Sequence, residues 1–267
     1  MTRRPRTRRR SARDWRRLRT RWHALPGPVR VLLPLAVLAV LTLGYQVLHK
    51  PTELLAVVPS SAKAPPATWS AYGALFREHS TGVVSPELLA ALVQVESAGD
   101  PLARTYWRWR WSWNPLDLYG PASSAVGILQ ITDGTYADAS RLCVHDHGVV
   151  REGPWRDPRA CWCNDLYVRW VPSHAIEMTA AWLDQSVRET LGSRFSRTTR
   201  EQRRRLAAVI HLCGRGRGAA FARHGFRALP GERCGDHELS AYVARVSNLT
   251  DEFVRLAASD RAALLPR

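Results

Sequence analysis

Ser85-Pro86-Glu87-Leu88-Leu89-Ala90-Ala91-Leu92-Val93-Gln94-Val95-Glu96-Ser97-Ala98-Gly99-Asp100-Pro101 is the stretch on which the fold turns. Serine is a favoured N-cap, proline fits the first helical turn, and an acid there complements the positive helix end. Leu88, Leu89, Leu92 and Val93 repeat at the three-and-four spacing of one buried helix face. The next position on that face is Glu96, an acid where the pattern asks for an aliphatic. Gly99 and Pro101 then end the helix. Burial and the negative end of the helix both favour the protonated carboxyl, which is what a general acid needs. The plainer alternative is a glutamate that snorkels from a helix end or pairs with an arginine.

A second patch follows at Ser124-Ala125-Val126-Gly127-Ile128-Leu129-Gln130-Ile131-Thr132. A Glu-Ser pair at a helix end, followed by a Gly-led turn closing on Gln, resembles the lytic transglycosylase (SLT-type) domain of the goose-lysozyme-like superfamily. Two further marks agree in position. Ile210-His211-Leu212-Cys213-Gly214 stands where the family has an Ala-Tyr-Asn-Ala-Gly-like segment, with His for Tyr and Leu for Asn. Tyr242-Val243-Ala244-Arg245-Val246 matches a Tyr-Val-x-x-Val helix. The resemblance covers residues 69–256 and rests on these four patches.

It implies a mainly α, lysozyme-like domain with Glu96 as the catalytic acid. Ser97, Ile128, Leu129, Gln130, Thr132 and His211 are the substrate-side positions it implies. Ser97 orients the acid or a sugar group, Gln130 holds the glycan, Ile128 and Leu129 wall the cleft, and His211 either hydrogen-bonds Glu96 or substrate or is a core histidine satisfied by backbone. Thr132 or Asp133 also caps the helix that follows. The implied reaction is cleavage of the MurNAc-GlcNAc bond of peptidoglycan, with Glu96 acting as acid and then as base to leave a 1,6-anhydro end. No metal or organic cofactor is implied. Hydrolysis on the same fold is the near rival and needs a water held by a second carboxylate, for which Asp100 and Asp117 are the candidates. A non-catalytic wall-binding or assembly protein is the rival of a different class. Enzymes of this kind either trim the wall or open it for a secretion or conjugation apparatus.

The chain has 267 residues and a net charge of +16. Residues 1–30 hold 12 arginines against one acid, Asp14, so +11 sits in the tail and +5 in the rest. An even basic surface for nucleic acid is therefore not what the charge describes. The run Val31 to Leu48 carries no charge over 18 residues and is apolar all round, which reads as a membrane span rather than an amphipathic core helix. Arginines ahead of it place the N-terminus in the cytoplasm, so the arm reads as topogenic and not as a nucleic-acid binder. Ala62-Lys63-Ala64 has the small-x-small pattern of a cleavage site, but it lies far beyond the run and precedes Pro65, which favours an uncleaved signal-anchor. The expected layout is a basic cytoplasmic tail (1–30), a transmembrane anchor (31–48), a Pro-rich tether (49–68), the catalytic domain (69–258) and a C-terminal tail (259–267). That puts the domain in the periplasm or outside, on the bacterial inner membrane.

Trp107-Arg108-Trp109-Arg110-Trp111-Ser112-Trp113 lies in an insertion between the two motif patches. Strict alternation predicts a strand with an aromatic face and a basic face. Three roles compete for it: a hairpin whose rings are buried in a core, an extension of a glycan groove, and a contact with the bilayer surface. Elsewhere the pattern predicts helices at 69–79, from Thr132 or Asp133 to about Leu142, from a Ser173 cap to Leu191, from a Thr198/Glu201 capping box to Leu212, and at 238–256. Residues 143–163 read as loop.

Five cysteines, Cys143, Cys161, Cys163, Cys213 and Cys234, suit an oxidising compartment. The economical pairing joins Cys143 to Cys161 or Cys163 and Cys213 to Cys234, with one thiol left over. A zinc site from Cys143, His145, Asp146, His147 and the later cysteines matches no common ligand spacing.

Overall fold

The computed structural model describes residues 20, 22–49, 60–109, 111–114, 116, 118–152, 154, 156–157, 161 and 164–264. The first nineteen residues, positions 50–59 of the tether, Arg110, Asp117 and Cys163 lie outside the described residues. The chain forms two compact units, Met1–Leu54 with Trp107–Pro121, and Leu55–Tyr106 with Ala122–Arg267.

The first unit holds α1 (Gly27–His49) and a two-stranded antiparallel ribbon, β1 (Trp107–Trp109) with β2 (Tyr119–Pro121). At 1.5 Å per residue, α1 is about 34 Å long, enough to cross a hydrocarbon core of about 30 Å. Its segment Gly27–Tyr45 has a mean hydropathy of 1.9 and only 6% of it is buried, so its apolar surface faces outward. That helix is long and apolar enough to span a membrane. In the ribbon Trp107 pairs with Pro121 and Trp109 with Tyr119. The strand ends at Trp109, so the expected alternation is shorter than the sequence pattern. The rings are not a core. Trp109, Trp111 and Trp113 are 76%, 94% and 99% exposed.

The second unit is mainly helical and is built around α3 (Pro86–Ser97). Leu88, Leu89, Ala90, Ala91, Leu92 and Val93 are all fully buried, so α3 is buried on every side rather than along one stripe. Ser85 caps it as expected, accepting from the Leu88 N–H at 3.3 Å. α2 (Pro65–Glu78) and α7 (Leu239–Leu264) pack on α3. Trp69 on α2 donates its indole N–H to Asp260 on α7 at 2.7 Å, while Arg77 lies over the Trp69 ring and bonds the same carboxylate. α5 (Pro172–Leu191) packs on α6 (Arg200–Arg223), on α4 (Asp133–Ala139) and on β3 (Leu142–His145).

The tether is shorter than the proline content suggests. Pro65 and Pro66 occupy the first turn of α2, where a missing N–H costs nothing. Residues 60–64 are already fastened to the domain. The Lys63 N–H donates to the Ala98 carbonyl at 2.6 Å, and Ser61 donates from both N–H and hydroxyl to Asp100.

Residues 142–151 are a hairpin, not a loop: β3 pairs with β4 (Gly148–Arg151) across Asp146 and His147, both at positive φ. α4 accordingly stops at Ala139. The cap of α5 is Val171, without a side-chain bond, rather than Ser173. The capping box of α6 is Thr199 with Gln202, one residue beyond the expected pair. Within α6, Gly214 at φ 77° and ψ 172° is non-helical and breaks the helix where the sequence predicts its end, and a second helical stretch resumes beyond it as far as Arg223. The disulfides are Cys143–Cys161 and Cys213–Cys234, each with Cα atoms 5.6 Å apart. Bonding Cys143 to Cys161 takes both thiolates out of any metal site.

Candidate active site

Glu96 is the penultimate residue of α3, with its side chain 17% exposed. From α7, the Tyr242 hydroxyl donates to Glu96 Oε1 at 2.5 Å. From α6, His211 Nε2 stands 3.6 Å from the same oxygen. Glu96 Oε2 has no hydrogen-bond partner among the described residues. One carboxyl oxygen is thus fixed by a phenol.

The neighbours hold defined protonation states. Burial keeps His211 below the ordinary imidazole range, and the Glu96 charge offsets this only in part. His211 is neutral near pH 7. Burial, then the charge of Glu96 and the hydrogen bond to it, raise Tyr242 well above the usual phenol range. Tyr242 therefore remains a donor across the physiological range.

The two motif patches meet through Ser97. Its hydroxyl oxygen lies 2.7 Å from the Ile128 carbonyl and 3.1 Å from that of Val93. Ser97 joins the foot of α3 to the Gly127 turn, a positioning contact with backbone. Gly127 sits at φ 83°, and a Cβ there would come within 2.0 Å of the Arg169 carbonyl. Only glycine fits so close an approach. Arg169 closes the turn from the other side, donating to the carbonyls of Ser124 at 2.9 Å and Ile131 at 3.0 Å and pairing with Asp133 at 2.8 Å.

Gln130 stands at the end of this turn at φ 47°. Its amide nitrogen donates to the carbonyls of Ala103 at 3.0 Å and Gly127 at 2.9 Å. Oε1 has no partner among the described residues, so the side chain offers a fixed acceptor. Ala98, at φ 50°, is a second non-glycine residue in the left-handed region beside the acid. Such conformations cost about 1–3 kcal/mol each and persist where surrounding contacts enforce them.

Ile128 and Leu129 depart from expectation. Both are fully buried in the core and do not wall a cleft. In a tight turn the two aliphatics point inward, where burial of each is worth about 1.5–3 kcal/mol. Thr132 is exposed and serves as the N-cap of α4, accepting from the Thr135 N–H. Asp100 is 5% exposed and bound by Ser61 and by the Leu102 N–H at 3.0 Å. Burial alone would raise its pKa, but hydrogen bonds from Leu102, Ser60 and Ser61 outweigh this and hold it below the usual carboxylate value. Its oxygens accept hydrogen bonds from the chain itself.

Tyr242 is marked in the sequence only as part of the Tyr-Val-x-x-Val patch, and its bond to Glu96 is what sequence reasoning missed. It lies in the stripe Leu239, Tyr242, Val243 and Val246, and a phenol amid aliphatics was the available signal. The Cys213–Cys234 bridge braces the same corner, tying the segment just after His211 to β5 (Arg233–Cys234), five residues ahead of α7.

No protein-family model matches this chain, and no curated protein matches it significantly.

Proposed function

We propose that this protein is a membrane-anchored peptidoglycan lytic transglycosylase with Glu96 as its one acid-base residue. The observation that carries the reading is a shielded carboxyl at a helix end, with Oε1 held by Tyr242 and Oε2 unpartnered among the described residues. The four sequence patches that resemble the SLT-type domain fall around it: Ser97 bonds the Gly127 turn, His211 faces the acid, and Tyr242 touches it.

Glu96 gives its proton to the oxygen leaving C1 of the N-acetylmuramic acid unit, and the C1–O bond breaks. The substrate's own N-acetyl group meets the charge on C1, so no enzyme nucleophile is needed. The Glu96 carboxylate then takes the proton of the C6 hydroxyl as that oxygen bonds to C1. A 1,6-anhydro end and a free N-acetylglucosamine hydroxyl result, and the carboxyl returns to its starting state. Gln130 Oε1 accepts from a donor on the glycan. Of the two carboxylates considered for hydrolysis, Asp100 is engaged by Ser61 and Leu102, and Asp117 lies outside the described residues. With α1 across the inner membrane and the arginine tail in the cytoplasm, the domain works on the outer side against glycan strands.

Zymography and mass spectrometry of released muropeptides test the reading. Anhydro ends are expected from the full chain, with clearing reduced about 100-fold or more by Glu96→Gln. Equal clearing by the variant removes Glu96 from the chemistry. Reducing ends instead of anhydro ends make the protein a hydrolase.

A further inference from the structure

The Trp-rich ribbon is a surface that the proposed reaction leaves unused. Trp109, Trp111 and Trp113 expose 76%, 94% and 99% of their surface, and Tyr119, packed at a tilt against Trp109 with ring centroids 4.9 Å apart, is 38% exposed. Three tryptophans present roughly 500 Å² of aromatic surface to solvent, at the upper end of what soluble monomers tolerate. Arg108, between Trp107 and Trp109, is exposed as well.

We propose that this ribbon is a second membrane contact, seated in the headgroup layer of the bilayer that α1 crosses. Indole rings with a polar N–H and an apolar body partition to that layer, and an arginine beside them matches lipid phosphates. The ribbon belongs to the same compact unit as the apolar helix α1, not to the helical unit that carries Glu96. The chain itself keeps the surface near: with residues 60–64 fastened to the domain, the ten positions 50–59 can reach about 35 Å at most, so the ribbon meets the bilayer at high effective concentration. A bilayer accepts exposed rings without a shaped partner. The inference is independent of the catalytic assignment.

The full chain, reconstituted in vesicles of phosphatidylethanolamine and phosphatidylglycerol, provides the test. The emission of Trp109, Trp111 and Trp113 is read as the difference between the wild type and the W109A/W111A/W113A variant. Lipids brominated near the headgroup should quench at least half of that difference, and aqueous iodide little of it. The Arg108→Glu variant keeps every ring; its bromolipid quenching should fall about twofold or more in anionic vesicles and stay unchanged in phosphatidylcholine. A difference emission quenched by iodide and untouched by bromolipid overturns the proposal. So does a difference emission that responds only to soluble glycan strands, which would make the ribbon a glycan surface. Flotation of both proteins with the vesicles reports α1 separately, so a failed anchor is not mistaken for a failed ribbon.

Discussion

Tyr242 and Glu96, 146 residues apart in sequence, share a 2.5 Å hydrogen bond that fixes one oxygen of the candidate acid. The bond joins the buried central helix α3 to the last helix, so the acid's orientation depends on α7 being seated.

Tyr242→Phe keeps the ring and its volume and removes only the hydroxyl. A hydrogen bond to a charged group is worth about 1.5–3 kcal/mol of stability, so the melting temperature should fall, and glycan cleavage by the remaining folded protein should slow by about 10-fold or more. Muropeptide release beside calorimetry checks this. A rate unaffected by the change would deprive the contact of any catalytic meaning.

Gly127→Ala places a methyl 2.0 Å from a backbone oxygen at a φ that alanine resists. A loss of about 2–4 kcal/mol of stability is expected, read by urea unfolding. Because Ser97 leans on the same turn, activity should fall further than the folded fraction does.

His211 and His174 both sit below the ordinary imidazole range, each chiefly through burial. For His211 the facing groups are the Glu96 carboxylate on α3 and the Tyr242 hydroxyl on α7. On acidification the unfolded chain binds protons near pH 6.5 while the folded histidines do not, so the unfolded state gains. Stability should be full above that pH and decline as the pH falls below it. His211→Gln should flatten the decline between pH 7 and 5.5, measured as the slope of melting temperature against pH. A slope identical to the wild type would show that His211 takes up its proton equally in both states.

The two disulfides should differ in their effect. Replacing both Cys213 and Cys234 by serine opens a loop with a sequence separation of 21, which costs about 3 kcal/mol, and frees the corner that carries His211. The matching change at Cys143 and Cys161 opens a loop of similar size away from Glu96. Similar drops in melting temperature are expected, with the larger loss of cleavage from the first pair.

Much of the second unit could be read in advance because local chemistry and tertiary packing agree there. The Ser85 cap, the aliphatic run to Val93 and the stop after Ser97 all favour one outcome. The errors arose where local signals were degenerate or silent. Thr198 and Thr199 each have Glu or Gln three residues on, so sequence alone chooses poorly between two capping boxes. The β3–β4 turn uses Asp146-His147 at positive φ, without the Asn-Gly signature such turns usually carry. Gly214 does interrupt the helix, but sequence gives no sign that a second helical stretch resumes directly beyond it. Tyr242 was hidden by its good fit to an apolar stripe. Ile128 and Leu129 were assigned by position in a motif, whereas their side chains obeyed their own hydrophobicity.

The stapling of residues 60–64 has a mechanical consequence. If α1 anchors the protein as proposed, traction on it does not reach the domain at some indifferent corner. It arrives at Lys63 and Ser61, which grip Ala98, Gly99 and Asp100 immediately beyond the last turn of α3. The segment leading into α2 is therefore fastened within a few residues of Glu96, and in the proposed anchored protein a pull along it is felt beside that side chain.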